Sequence, residues 1–184
     1  MLISVGSLLF SCYLFSWKHK KVSVKQEKTY GITFILLGII ASVFGFSIYI
    51  NEPIPPQYIE VYGVGYFVYG LLLLVGGWCM VLNWDKKPAS YLAGIGGLIL
   101  LWSARTIYYY GLSKSPLAST LIFALSGFGA LGTTILAHKK QSSTSLLFVW
   151  LVLLAFFIVG LLTLYSGLNA QFGHVGRVLA EAAK

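Results

Sequence analysis

Six apolar runs, separated by short polar breaks, make up most of the chain; they lie at 2–17, 31–50, 61–83, 90–112, 117–137 and 146–168. Each of the last five holds 20 to 23 residues. At about 1.5 Å of rise per residue, that length crosses the roughly 30 Å hydrocarbon core of a bilayer. The first run is shorter. It has no basic residues before it and a dense lysine cluster after it (Lys18, Lys20, Lys21, Lys25, Lys28). A cleavable signal peptide carries its charges first, so the run reads as an uncleaved first helix. The LFSC stretch at Leu9–Cys12 loosely resembles a lipoprotein cleavage box, but the missing basic segment argues against that reading.

The breaks are sharp. Pro53, Pro55 and Pro56 forbid a helix from continuing through NEPIPPQYIE, and Pro116 after SKS suits the first turn of the next helix. The pattern predicts an all-α integral membrane protein, a compact bundle of six transmembrane helices forming one domain over 1–184. Residues 169–184 are expected to form a short outer tail.

Composition agrees with this reading: charged residues are 10% of the chain, against about 25% in soluble domains. The net charge of +8 is not spread evenly. Nine of the thirteen Lys and Arg fall at the first, third and fifth breaks, and only Lys114, Arg177 and Lys184 fall at the other breaks and the tail. By the positive-inside rule, the odd-numbered loops are cytoplasmic and both termini lie outside, in a multi-pass protein of the cell membrane. Loop lysines of this kind serve topology and the anionic inner leaflet, and no nucleic-acid motif accompanies them. Cys12 and Cys79 have no metal-ligand neighbours and read as buried free thiols.

The fourth run carries the one charge set well inside an apolar stretch, Arg105. An intramembrane charge is costly and marks a pairing or a pathway. It could snorkel outward, or it could belong to a polar site. Tyr108 and Tyr109 follow at i+3 and i+4 and share its face. Glu52 and Glu60 flank the loop on the same side of the membrane. Arg105, Glu60, Glu52, Tyr108 and Tyr109 are thus the candidate buried ion pair or outward-facing solute pocket.

Small residues recur at Gly38/Ser42, Ala41/Gly45 and Ser126/Ala130, which offer close helix approach within the chain or against a partner. The second, fourth and sixth runs each end near a tyrosine, while the third and fifth carry glycine clusters and lead to a lysine pair. Either a repeated helical hairpin or the common rules of membrane topology produces that echo. No catalytic triad, paired carboxylates, metal-binding His-Cys set, phosphate loop or facing haem histidines occurs, so no catalytic, cofactor or metal residue is assigned.

The second to sixth runs, with NEPIPPQYIEVYGVGY, YYYGLSKSPLAS and YSGLNAQFGH, resemble a group of small multi-span prokaryotic membrane proteins, notably archaeal, known only as a domain of unknown function. The resemblance spans roughly residues 30–175. It implies a prokaryotic cell membrane and a compact helical bundle, and it supplies no reaction or substrate. The sequence reading is therefore non-catalytic. The chain is expected to be an accessory or scaffolding subunit that meets the lipid bilayer and other membrane subunits through small-residue helix faces. The alternative is a small transporter or channel for a polar or anionic solute, with its pocket around Arg105.

Overall fold

The computed structural model describes residues 2–19, 21–52, 55–138 and 145–182, with side chains described up to Ala170 and at Phe172. Six helices account for nearly all of them: α1 (Leu2–Lys18), α2 (Val24–Asn51), α3 (Pro56–Leu82), α4 (Lys86–Tyr110), α5 (Pro116–His138) and α6 (Leu146–Ala182). No strand occurs among the described residues. Five helices are long and apolar enough to cross a membrane; α1, at 17 residues, falls just short of them.

Local chemistry moves two helix starts earlier than the apolar pattern implies. Ser23 caps α2 through a reciprocal pair: its hydroxyl accepts from the Gln26 N–H at 3.3 Å, and the Gln26 side chain accepts from the Ser23 N–H at 2.9 Å. Lys25 and Lys28 therefore ride on the first turns of α2 rather than in a loop. Asp85 caps α4 by accepting from the Lys87 N–H at 3.0 Å. α3 contains a π-helical turn at Ile59–Gly63. Gly111 ends α4 in the left-handed conformation, φ 64°. The expected break after 168 is absent, because α6 continues into the tail. Lys139, Lys140 and Lys184 lie outside the described residues, as do the side chains of His174 and Arg177.

Packing falls into three close antiparallel pairs: α2 with α3, α4 with α5, and α6 with α1. The first pair is a glycine zipper. Gly31, Gly38 and Gly45 recur every seven residues on α2, and they face Gly77, Gly70 and Gly63 on α3. A Cβ added at Gly38 would stand 2.6 Å from the Leu74 nitrogen, and one at Gly31 would stand 2.8 Å from the Gly77 carbonyl oxygen. In lipid, apolar side chains gain nothing by leaving water, so backbone approach of this kind supplies the packing.

The second pair repeats the rule. Ser90, Gly97 and Ala104 on α4 oppose Thr134, Gly127 and Thr120 on α5; Thr134 donates to the Ser90 carbonyl at 2.7 Å, and Thr120 reaches the Ala104 carbonyl at 3.5 Å. In the third pair, Ser11 lies 3.3 Å from the Leu153 carbonyl, and Gly160 sits under Leu8 and the Ser4 carbonyl. α1 thus fills the place a hairpin partner would take, next to α6 rather than beside a loop. Each pair also touches the next, α3 against α4, α5 against α6 and α1 against α2, which closes a ring.

The outer surface is apolar. Ile32, Leu36, Ile40, Val43 and Phe46 of α2, with Leu92, Ile95, Leu98 and Trp102 of α4, are exposed. Such faces suit lipid, where every backbone group is satisfied within its own helix.

Candidate functional site

The residues picked from sequence lie at the periphery. Arg105 is exposed on α4, with its guanidinium 5.2 Å from the centroid of the Trp102 ring one turn back. Tyr108 and Tyr109 are also exposed. Glu60 is an exposed residue of the π-helical turn, and Glu52 ends α2 in the left-handed conformation, φ 45°. Among the described residues, Arg105 makes no ion pair with either glutamate; the ion pair there joins Lys86 and Glu27. Of the two thiols, Cys79 is buried and Cys12 is exposed, so the expectation of two buried cysteines holds only for Cys79. Position on the helix decides it, since Cys12 lies on the face of α1 turned from the ring.

The Lys86–Glu27 pair joins the starts of α4 and α2 at the lysine-bearing end. Tyr13 of α1 completes it: its hydroxyl donates to the Glu27 carboxylate at 3.0 Å and lies 3.4 Å from the Lys86 ammonium. Three helices are thereby tied at one rim. Tyr13 itself packs among Leu14, Phe34, Met80 and Val152, which fixes its reach.

Inside the ring, directly below that rim, lies a cavity of about 460 Å³. Ligand pockets run to about 300–1,000 Å³. Its walls come from α1, α3, α4, α5 and α6, and are mainly apolar: Phe10, Leu14, Leu73, Met80, Leu136 and Phe156. Lys86, Asp85, Trp84 and Trp17 form its mouth. Ser7 on its wall is 1% exposed, with its hydroxyl beside the Tyr69 phenol.

A second cavity of about 260 Å³ lies toward the other end of the same ring, lined by Ile3, Tyr62, Tyr66, Ser119, Thr163 and Ser166 among others. Tyr69, Leu100 and Ser126 belong to the walls of both. None of the five sequence candidates lines either one. No group of three His, Cys, Asp or Glu side chains suited to a metal ion occurs among the described residues.

A family model matches residues 1–177, from α1 well into α6. The chain belongs to the family described as protein of unknown function (DUF981). The match reaches back through α1, beyond the stretch from about 30 onward on which the sequence resemblance rests. Neither the curated proteins nor the solved structures contain a match to the chain. DUF981 membership thus brings no activity with it, and the geometry has to carry the functional reading.

Sequence reasoning missed the interior of this DUF981 chain because no charge marks it. The cavity is lined mainly by apolar side chains, with a few hydroxyls, that look like ordinary packing. One signal was available. The serines of α1 at 4, 7 and 11 share a helix face, and all three are buried.

Proposed function

We propose that this multi-pass membrane protein binds a small amphipathic molecule in the cavity within its helix ring, with the molecule's anionic head at Lys86 and its apolar body among Phe10, Leu73 and Phe156. The cavity of about 460 Å³ beneath the lysine-bearing rim carries this reading. Its apolar walls favour a hydrocarbon or ring body, and the Ser7 and Tyr69 hydroxyls offer polar contacts within. The head is assigned from charge. Among the described residues, Lys18, Lys21, Lys25, Lys28, Lys86 and Lys87 gather at this end against two acids, Glu27 and Asp85, so the local field draws anions.

This places the pocket on the axis of the bundle and at the lysine end, rather than around Arg105. The proposal keeps six spans in one domain, in a prokaryotic cell membrane, with the lysine end cytoplasmic and both termini outside. Single cysteines at the exposed positions Lys87 and Ser115 test the orientation. An impermeant thiol reagent added to intact cells should label Ser115→Cys and spare Lys87→Cys, and the converse would invert it.

Of the small-residue faces that suggested a scaffolding role, those of α2 pack against α3 and Ser126 and Ala130 turn to the cavity, so they no longer argue for a partner. An accessory subunit would have to use another surface, and the exposed α4 face with Arg105, Trp102 and Tyr109 is the one that offers polar and aromatic contacts. Mass determination after gentle extraction separates the readings, because a stoichiometric membrane partner would favour the accessory role.

The binding test uses a photoreactive long-chain fatty acid in lipid discs, with its adducts mapped by peptide mass analysis. Adducts are expected on Phe10, Met80 or Leu136 as well as on lipid-facing side chains. Ala130→Phe, which fills the cavity from α5, should remove the interior adducts and leave those on Ile40 or Trp102. Labelling confined to the lipid face in the wild type would refute the proposal.

A further inference from the structure

We infer that the two cavities are the halves of one axial path through the ring, closed at its middle by Tyr69, so that the bound molecule is passed from one membrane face to the other. This rests on the binding reading above and extends it from binding to translocation.

The partition is thin. Tyr69, Leu100 and Ser126, from α3, α4 and α5, are common to both walls, so nothing else in the described chain need stand between the chambers. Beyond them, one chamber runs to Trp17, Trp84 and Lys86 at the lysine end. The other runs to Ile3, Tyr62 and Ser166 at the opposite end. Five of the six helices line the path, and only α2 stands outside it, behind α3.

Tyr69 has the attributes of a movable closure. Its hydroxyl crosses to α1 and donates to the Ile3 carbonyl at 3.1 Å. The phenol end lies in the space left by Gly6, where any side chain would collide with it. The Ile3 hydrogen bond, contact with the Ser7 side chain and one missing side chain therefore hold the ring across the path. A phenol that releases Ile3 keeps the Ser7 hydroxyl beside it as a partner, so the release has a small net cost. Apolar constrictions such as Leu100 beside an aromatic ring stop passage without charge.

The test uses single cysteines in a Cys12→Ser, Cys79→Ser background, reconstituted in vesicles, with a small impermeant anionic methanethiosulfonate added to one face at a time. Thr133→Cys reports the lysine-end chamber, and Ser119→Cys the opposite one. With Tyr69 present, each cysteine should react from its own face. With Tyr69→Ala, each should react from the far face about tenfold faster than before, as expected when a constriction is removed. Leu100→Ala trims the same partition from α4 and should give the same loss of sidedness where Tyr69→Ala does not fold.

Unchanged sidedness in both variants, with Thr133→Cys still reactive from the lysine end, would overturn the path and leave the binding reading standing. A Thr133→Cys unreactive from either face in every variant would overturn both. Loss of sidedness in either variant supports the path.

Discussion

Gly38→Ala is the sharpest probe of what holds the bundle together. The added methyl would sit 2.6 Å from the Leu74 nitrogen and 2.8 Å from the Gly70 carbonyl oxygen, where ordinary contact begins at 3.4 Å. Both obstacles are backbone atoms of α3, so no side-chain rotation can relieve them, and the two helices have to part locally. Overpacking a tight interior costs about 1–3 kcal/mol. With backbone on both counts, the upper part of that range applies, about 2–3 kcal/mol, or a roughly 30- to 150-fold fall in the folded-to-unfolded ratio. Titration with sodium dodecyl sulfate in mixed micelles, followed by tryptophan fluorescence, reads the loss. Gly76→Ala, on the partner helix α3, is the control, because nothing lies within 4 Å of its added Cβ. It should stay within about 0.5 kcal/mol of the wild type. Equal effects of the two substitutions would refute the glycine zipper as the basis of the α2–α3 pair.

Other substitutions test separate parts of the account. Thr134→Val removes the hydroxyl that donates to the Ser90 carbonyl and should lower stability by about 0.5–1 kcal/mol in the same titration, in line with interhelical hydrogen bonds in membranes. Glu52→Gly should raise stability by up to about 1 kcal/mol, because Glu52 holds φ 45° and glycine adopts that conformation without strain. Arg105→Ala should cost less than about 1 kcal/mol, the scale of an exposed cation–π contact; a loss several times larger would reveal a buried partner for the guanidinium. Lys86→Met should cost no more than about 1 kcal/mol, since the Lys86 side chain is 41% exposed and its pair is screened by water, yet it should weaken capture of the fatty-acid probe. Unaltered capture would remove Lys86 from the head site.

Much of the fold was legible because length and hydropathy are one-dimensional signals. The runs at 31–50, 90–112 and 117–137 lie within or beside α2, α4 and α5, and a helix needs only its own residues to form. The starts of α2 and α4 shifted through side-chain capping. Ser23–Gln26 and Asp85 start helices inside segments that polarity alone marks as loop. The pairing of the helices was also written in the chain, as glycines seven apart at 31, 38, 45 and at 63, 70, 77. A period of seven only becomes informative when a partner helix with the same period runs antiparallel to it.

The candidate site was much less legible. Arg105 drew attention because charge is rare in an apolar run, but a helix has a lipid side and an inner side, and periodicity in an almost wholly apolar segment does not tell them apart. Trp102 and Arg105 face outward, whereas Leu100, Ser103, Ala104 and Ile107 of the same helix are buried. Tyr69, Ser7 and Ser126 gain meaning only from the ring that brings α1, α3 and α5 round a common space. Lys86 and Glu27 stand 59 positions apart, and no local rule links them.

The most direct measurement is a density map, at side-chain resolution, of the protein in lipid discs after extraction with no added ligand. The five lining helices should stand open around the lysine-end cavity, with an elongated density between Phe10, Leu73 and Phe156 and its polar end at Lys86. A ring collapsed so that Leu72, Leu136 and Phe156 fill the space, with no room for a guest, would contradict it.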